Sequence, residues 1–259
     1  MKNILSKIKL HPLSIFFIFS ACITGYFNMI IVLMIIITAH EIGHLIIITK
    51  FKYKIAEINF FPFGGIIKTE KDINSPLKEE IILAISGITA QLILGFIMFF
   101  LYQAGFIRNQ FYHLFYSYNV ILMIFNLLPI IPLDGHIILK SFLEYFFPYK
   151  KSFYISVFIS LTVLIIFIAY NIRFVINNYI ILGFLAFKIW EAMKNFPYLQ
   201  LRFFLERIMK KYNFQKIKII KGTNINKMFK EKKHVFVKDN KVIDEYDILS
   251  KKFDGNTNF

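Results

Sequence analysis

Long apolar runs set the first limit on what this chain can become. Six stretches stand out, at residues 13–27, 29–49, 81–102, 112–129, 153–170 and 175–189. A helix needs about 20 apolar residues to cross a hydrocarbon core roughly 30 Å thick. These runs are continuously apolar rather than alternating, so each reads as a helix that satisfies its own backbone in lipid. Turn residues or charges separate them, as in Gly25-Tyr26-Phe27-Asn28, Arg108-Asn109-Gln110, Lys150-Lys151 and Asn171-Ile172-Arg173. Composition agrees: 57% of the 259 residues are hydrophobic and 18% charged, against roughly half and a quarter in a soluble domain. A disordered chain, a collagen, a disulfide scaffold and an ordinary soluble enzyme are therefore disfavoured. A single cysteine, Cys22, can form neither an internal disulfide nor a cysteine metal cluster.

Orientation follows from the net charge of +15. With the N-terminus in the cytoplasm, 29 of the 31 Lys and Arg residues fall on the cytoplasmic side, and only Arg108 and Arg173 fall outside. This is the positive-inside arrangement, with both termini cytoplasmic in a multi-pass cell-membrane protein. The alternative for residues 13–27 is a signal peptide, with Lys2, Lys7 and Lys9 before it and Cys22 after Phe19-Ser20-Ala21.

The second run contains His40-Glu41-Ile42-Gly43-His44, an H-E-x-x-H motif inside an apolar helix. Residues four apart share a helical face, with Cβ atoms about 5–6 Å apart, so both imidazoles can reach one zinc ion. Glu41 is placed to take a proton from a metal-bound water. An ionisable side chain at the bilayer centre costs about 2.5–3.5 kcal/mol or more, and a bound metal would compensate for three such groups.

Two histidines leave a catalytic zinc one protein ligand short. Asp134 follows the fourth run in Asn126-Leu127-Leu128-Pro129-Ile130-Ile131-Pro132-Leu133-Asp134-Gly135-His136. The two prolines break the helix there, and irregular backbone at membrane depth needs a buried or cavity-lining place. Asp134 is the leading third ligand, with a helix cap as its other role and His136 as a rival. His11, His113 and His234 read as structural.

H-E-x-x-H in the second run, paired with N-x-x-P-x-x-x-L-D-G after the fourth, resembles the site-2 protease family of intramembrane zinc metalloproteases. The six-span layout with a cytoplasmic tail resembles its sporulation branch. The resemblance implies that His40, His44 and Asp134 bind zinc, that Glu41 activates water, and that Asn126 assists binding beside the active site. It implies hydrolysis of a membrane-associated substrate inside the bilayer, a pro-sigma factor in the sporulation branch, where the enzyme faces the mother cell. Small membrane proteins that inhibit the enzyme are implied as partners. One departure lies in the third run, where Gly87-Ile88-Thr89-Ala90-Gln91 stands for the family's Gly-Pro-x-x-Asn. His136 replaces the second glycine that often follows Asp-Gly.

Residues 57–68 contain an apolar part about ten residues long, with Pro62, Gly64 and Gly65, too short to cross as a helix. They suit a re-entrant β-hairpin that pairs with an extended substrate, or an interfacial loop anchored by phenylalanines. Family members carry a membrane-dipping hairpin at this place.

The expected fold class is thus an all-α polytopic membrane protein of about six transmembrane helices, with a short re-entrant β-hairpin and a small α/β C-terminal cytoplasmic module. The protease domain covers residues 1–196, a linker or interfacial helix 197–213, and the module 214–259. The module's pattern is a strand at 216–220, a helix capped near Thr223-Asn224, a hairpin across Asp239-Asn240 and a helix from Asp244. This order resembles a single cystathionine-beta-synthase (CBS) module. That resemblance implies ATP or another adenine nucleotide near Asp247, although Asp244 stands where a hydroxyl residue is usual. It also implies pairing into a homo-oligomer. The alternative is a basic surface on the anionic inner leaflet of the lipid bilayer. No nucleic-acid motif accompanies the charge. The rival activity is a polytopic metal-ion transporter, although no second polar constellation forms the repeat such a protein would show.

Overall fold

The computed structural model describes residues 8–10, 15, 19, 23, 25–61, 64–170, 176–239 and 241–253. Most of the expected first span, His11, Cys22, the hairpin tip at 62–63 and the loop at 171–173 lie outside the described residues.

Helix α1 (Phe27–Lys50) carries the H-E-x-x-H motif. It ends where Phe51 N–H donates to the Ile47 carbonyl and Lys52 turns to positive φ. Strands β2 (Ile55–Phe61) and β3 (Gly64–Thr69) follow as an antiparallel pair, with Ile58 opposite Ile67 and Phe60 opposite Gly65. Two antiparallel strands are thus present here at the backbone. A third strand, β1 (Ile8–Leu10), lies parallel to β2. Three residues joined to a distant partner leave no pattern in a sequence, so β1 carries no local signal.

Helices α2 (Leu77–Gln103), α3 (Asn109–Leu127), α4 (Asp134–Phe146), α5 (Tyr149–Tyr170) and α6 (Ile176–Met209) complete the helical part. Among the described residues, α1, α2 and α5 are long and apolar enough to cross a membrane, with mean hydropathies of 2.2, 2.3 and 2.5. Phe96, Phe100, Phe158 and Ile165 stand exposed on α2 and α5. Large apolar side chains in such numbers suit lipid rather than water. Helix α3 covers the fourth apolar run but includes Gln110, His113 and Asn119.

The chain divides into two compact units. One holds β1–β2–β3, α1, α2 from Ile82 onward and α3. Val32 and Ile36 of α1 pack there with Met98 and Phe115, and Ile48 packs with Ile55. The other holds Asp72–Ile81 and the chain from Leu128 onward.

In this second unit α6 runs unbroken through Pro197, where the composition marks the start of a linker or interfacial helix. An interior proline costs about 3 kcal/mol or more. Aromatic packing on both sides offsets it: Phe196 stacks on Phe153 at 3.8 Å, and Phe203 stacks on Tyr149 at 4.4 Å.

The tail forms a sheet of β4 (Lys216–Lys221), β5 (Lys232–Lys238) and β6 (Lys241–Asp244), then α7 (Glu245–Phe253). β4 is parallel and β6 antiparallel to β5. The helix expected near Thr223-Asn224 is only a 3-10 turn at Ile225–Lys227. Asn224 does cap it, accepting from Asn226 N–H at 3.0 Å. Met228 then turns extended, and β5 begins four residues later, leaving no room for a longer helix.

Buried polar contacts fasten this tail to the helices of its unit. Lys230 is only 1% exposed, and its ammonium meets Glu80 at 2.7 Å and Glu144 at 3.3 Å. Arg207 pairs with Glu245 at 2.7 Å and donates to Asn74 Oδ1 at 2.7 Å. His234 accepts from Phe229 N–H through Nε2 at 2.9 Å, so it donates through Nδ1 to Glu245, also at 2.9 Å. Burial, with Arg207 and Lys232 nearby, holds His234 below its ordinary value despite Glu245. Burial alone would raise Glu245, but the His234 hydrogen bond and the Arg207 charge overcome it and hold the carboxyl below its usual range.

Both shifts act in one direction. A histidine kept neutral in the folded state loses its stabilising contribution as pH falls below its unfolded value of about 6.5. A carboxylate with a depressed value keeps its contribution above about 4.3 and loses it as pH falls through the folded value. Amide exchange in β5 and α7, corrected for the intrinsic pH effect, should therefore be faster at pH 5 than at pH 7.5. Equal protection at both would contradict the assigned charge states.

Candidate metal centre

The fourth and fifth turns of α1 present His40, Glu41 and His44, and the first two are buried. The imidazoles stand edge to face, with centroids 4.6 Å apart and planes at 84°. Their Nε2 atoms are 3.0 Å apart. The Nδ1 atoms point to oxygens of α2: His40 Nδ1 lies 3.2 Å from Gln91 Oε1, and His44 Nδ1 lies 2.8 Å from the Leu83 carbonyl. The Ser86 hydroxyl, which donates to that same carbonyl, lies 3.2 Å from His44 Nδ1.

A neutral imidazole has one donor and one acceptor nitrogen. An amide oxygen and a carbonyl can only accept, so each Nδ1 carries the proton and each Nε2 is left with a lone pair. Two lone pairs facing each other at 3.0 Å repel unless a cation lies between or beside them. This donor set fits zinc, whose histidine ligands typically donate their other ring N–H to an oxygen.

Close approach of α2 to α1 rests on two glycines. A Cβ on Gly43 would collide with the Ser86 carbonyl and come 2.8 Å from Ala90 Cβ. A Cβ on Gly87 would lie 2.5 Å from His40 Cε1 and 2.6 Å from both Nε2 atoms. Gly87 therefore keeps clear the space that the two lone pairs face.

Asp134 is the first residue of α4 and is buried. Leu133 before it is extended, and Ile130 and Ile131 are buried in the turn. Helix α5 stabilises this irregular backbone. Ser160 Oγ donates to the Pro129 carbonyl at 3.0 Å, and Ser156 Oγ lies 3.3 Å from His136 Nε2. One ligand atom each of His40, His44 and Asp134 lie within 4.8 Å of one another, the one such group among the described residues. His136, the rival ligand, is not in it.

Other sequence candidates fall elsewhere. Asn126 is half-buried in the last turn of α3. His113 is exposed, and His234 belongs to the tail network. Asp247 is exposed in the first turn of α7. In the sequence Gly87 stands out only through its match to a family motif, and Gln91 only as a departure from it. Their spacing from Leu83, four and eight residues, puts all three on one face of α2, and Ser86-Gly87 and Ala90-Gln91 form its small and polar patch.

Gly87→Ala should lower zinc affinity at least about tenfold, the scale seen when a zinc site's supporting residues are disturbed. Gly183→Ala, where a Cβ meets nothing within 4 Å, should leave it unchanged. Zinc content of the purified proteins by atomic emission checks both.

Comparison with known proteins places this geometry. A sequence model of peptidase family M50 matches residues 28–109 and 101–168. Stage IV sporulation protein FB of Bacillus subtilis is 29% identical over 208 residues, covering 79% of this chain and 72% of that protein. A zinc metalloprotease of Methanocaldococcus jannaschii is 32% identical over 125 residues, 47% of this chain and 36% of the relative. The structure of the site-2 protease from Methanocaldococcus jannaschii superposes with a TM-score of 0.55 at 26% identity, covering 71% of this chain and 89% of that one. Apolar helices together with membrane-protease relatives make this a multi-pass membrane protein. With over half its length matched and a His-His-Asp cluster in place, the chain belongs to peptidase family M50, the site-2 protease family of zinc metalloendopeptidases.

Proposed function

We propose that this chain hydrolyses a peptide bond of a membrane-associated protein within the bilayer, with His40, His44 and Asp134 holding the zinc ion. The observation that carries the reading is the grouping of those three ligand atoms, with the Nδ1 of each histidine turned to an oxygen of α2. Zinc, when bound, supplies a Lewis acid for the scissile carbonyl and lowers the pKa of its water. Glu41, buried next to His40, accepts the proton from the attacking water and returns it to the leaving amine. Asn126 assists substrate or transition-state binding. A helical substrate must unwind locally before its carbonyl can be reached, which favours helix-breaking residues near the cut. Among the described residues β3 is an edge strand of the three-stranded sheet, which suits the strand addition that would hold such an unwound segment.

About six spans and cytoplasmic termini complete the proposal. Two features support them. The loop charges put 29 of 31 basic residues on one side. The parallel pairing of Ile8–Leu10 with β2 keeps the N-terminal segment on the same side of a membrane as the loop after α1. Similarity to stage IV sporulation protein FB supports a sporulation role with a pro-sigma factor as substrate. Inhibitory small membrane proteins, and pairing of copies through the tail, remain part of the same proposal. Asp247, exposed on a nine-residue helix, is left out of it, and with it the nucleotide.

Glu41→Gln should keep its zinc and lose cleavage of a co-expressed membrane-tethered substrate, by about 10²-fold or more. Wild-type cleavage by this variant would refute the assigned role, and zinc flux into proteoliposomes would favour transport instead.

A further inference from the structure

Resting on the zinc reading above, we propose that Gln91 is a positioning residue for His40, setting the ring's tautomer and direction through its side-chain oxygen. Gln91 lies in the middle of α2, surrounded in sequence by Ile, Leu, Ala and Phe, and is 1% exposed. A buried amide in an apolar helix is costly unless it is hydrogen-bonded. Its Oε1 meets His40 Nδ1 at 3.2 Å. Its backbone carbonyl accepts from the buried Asn119 Nδ2 at 3.4 Å, tying α3 to the same point.

The two imidazoles are supported differently. His44 Nδ1 donates to a backbone carbonyl, that of Leu83, which substitutions leave in place. His40 depends on a side chain, so its coordinating form is under direct sequence control. Without an acceptor at Gln91, His40 can carry its proton on Nε2 instead, and then the lone pair points away from His44. The close approach of α2 to α1 at Gly43 and Gly87 makes this contact possible.

A packing role and a positioning role predict opposite rankings. Gln91→Met keeps the length and apolar fit but removes the acceptor. Gln91→Glu keeps an acceptor oxygen at the same reach but buries a charge. Zinc affinity would be measured by chelator competition on the full chain in detergent, in a Glu41→Gln background so that no activity is needed. We expect Gln91→Met to weaken zinc binding by about 10–100-fold and Gln91→Glu to match or exceed the parent. Unchanged affinity in Gln91→Met, or equal losses in both variants, overturns the proposal. Should Gln91→Met fail to fold, judged by circular dichroism, Gln91→Glu decides alone: retained affinity supports positioning, and loss refutes it. If the parent itself holds no zinc that His40→Ala removes, the metal assignment fails and takes this proposal with it. Loss confined to the Gln91 arm leaves that assignment standing.

Discussion

Two imidazole nitrogens 3.0 Å apart inside an apolar helix form the constraint on which the rest of this structure turns. The Nε2 atoms face each other, and each Nδ1 is turned toward the neighbouring helix. Helix α2 supplies the partners of both Nδ1 atoms. It can do so only because Gly43 and Gly87 let the backbones approach and because Gln91, Leu83 and Ser86 line the facing side. Small and polar residues are thus concentrated where the helices meet, while phenylalanines and isoleucines cover the outside. That distribution fits a helix pair in lipid, where small contact residues and interhelical hydrogen bonds favour association.

The second unit meets a related demand by other means. Its break between α3 and α4 carries two prolines and brings Asp134 to the start of a helix. Backbone freed by such a break needs partners, and Ser160 and Ser156 of α5 provide polar contacts at Pro129 and His136. Further along, Lys230, Arg207, His234 and Glu245 bury their charges in pairs, which joins the tail to α4, α6 and the start of α2. A buried pair is weak evidence for net stability, but removing one member of it is costly, so the network favours one arrangement of these elements over others.

Much of the helical part was legible in advance because it depends on local pattern. Runs 29–49, 81–102 and 153–170 became α1, α2 and α5 with ends shifted by a few residues. The H-E-x-x-H face follows from helical geometry alone. The hairpin at 55–69 could be read from its glycines, and Asn224 from its capping chemistry. Where local pattern stops short, packing decides: Pro197 stays inside α6 because Phe196 and Phe203 stack on both sides of it, and β1 exists through pairing with residues fifty positions away.

By itself, then, the sequence determined which segments are apolar enough for lipid, which helix bears the histidines and which acid could join them. Each of these depends on residues near one another in the chain. Tertiary structure alone decided which nitrogen of each histidine meets an oxygen of α2. It also decided why a glycine must stand at 87 and what a glutamine does at 91. Those answers depend on how closely one helix can lie against another, and no spacing within a single helix contains that distance.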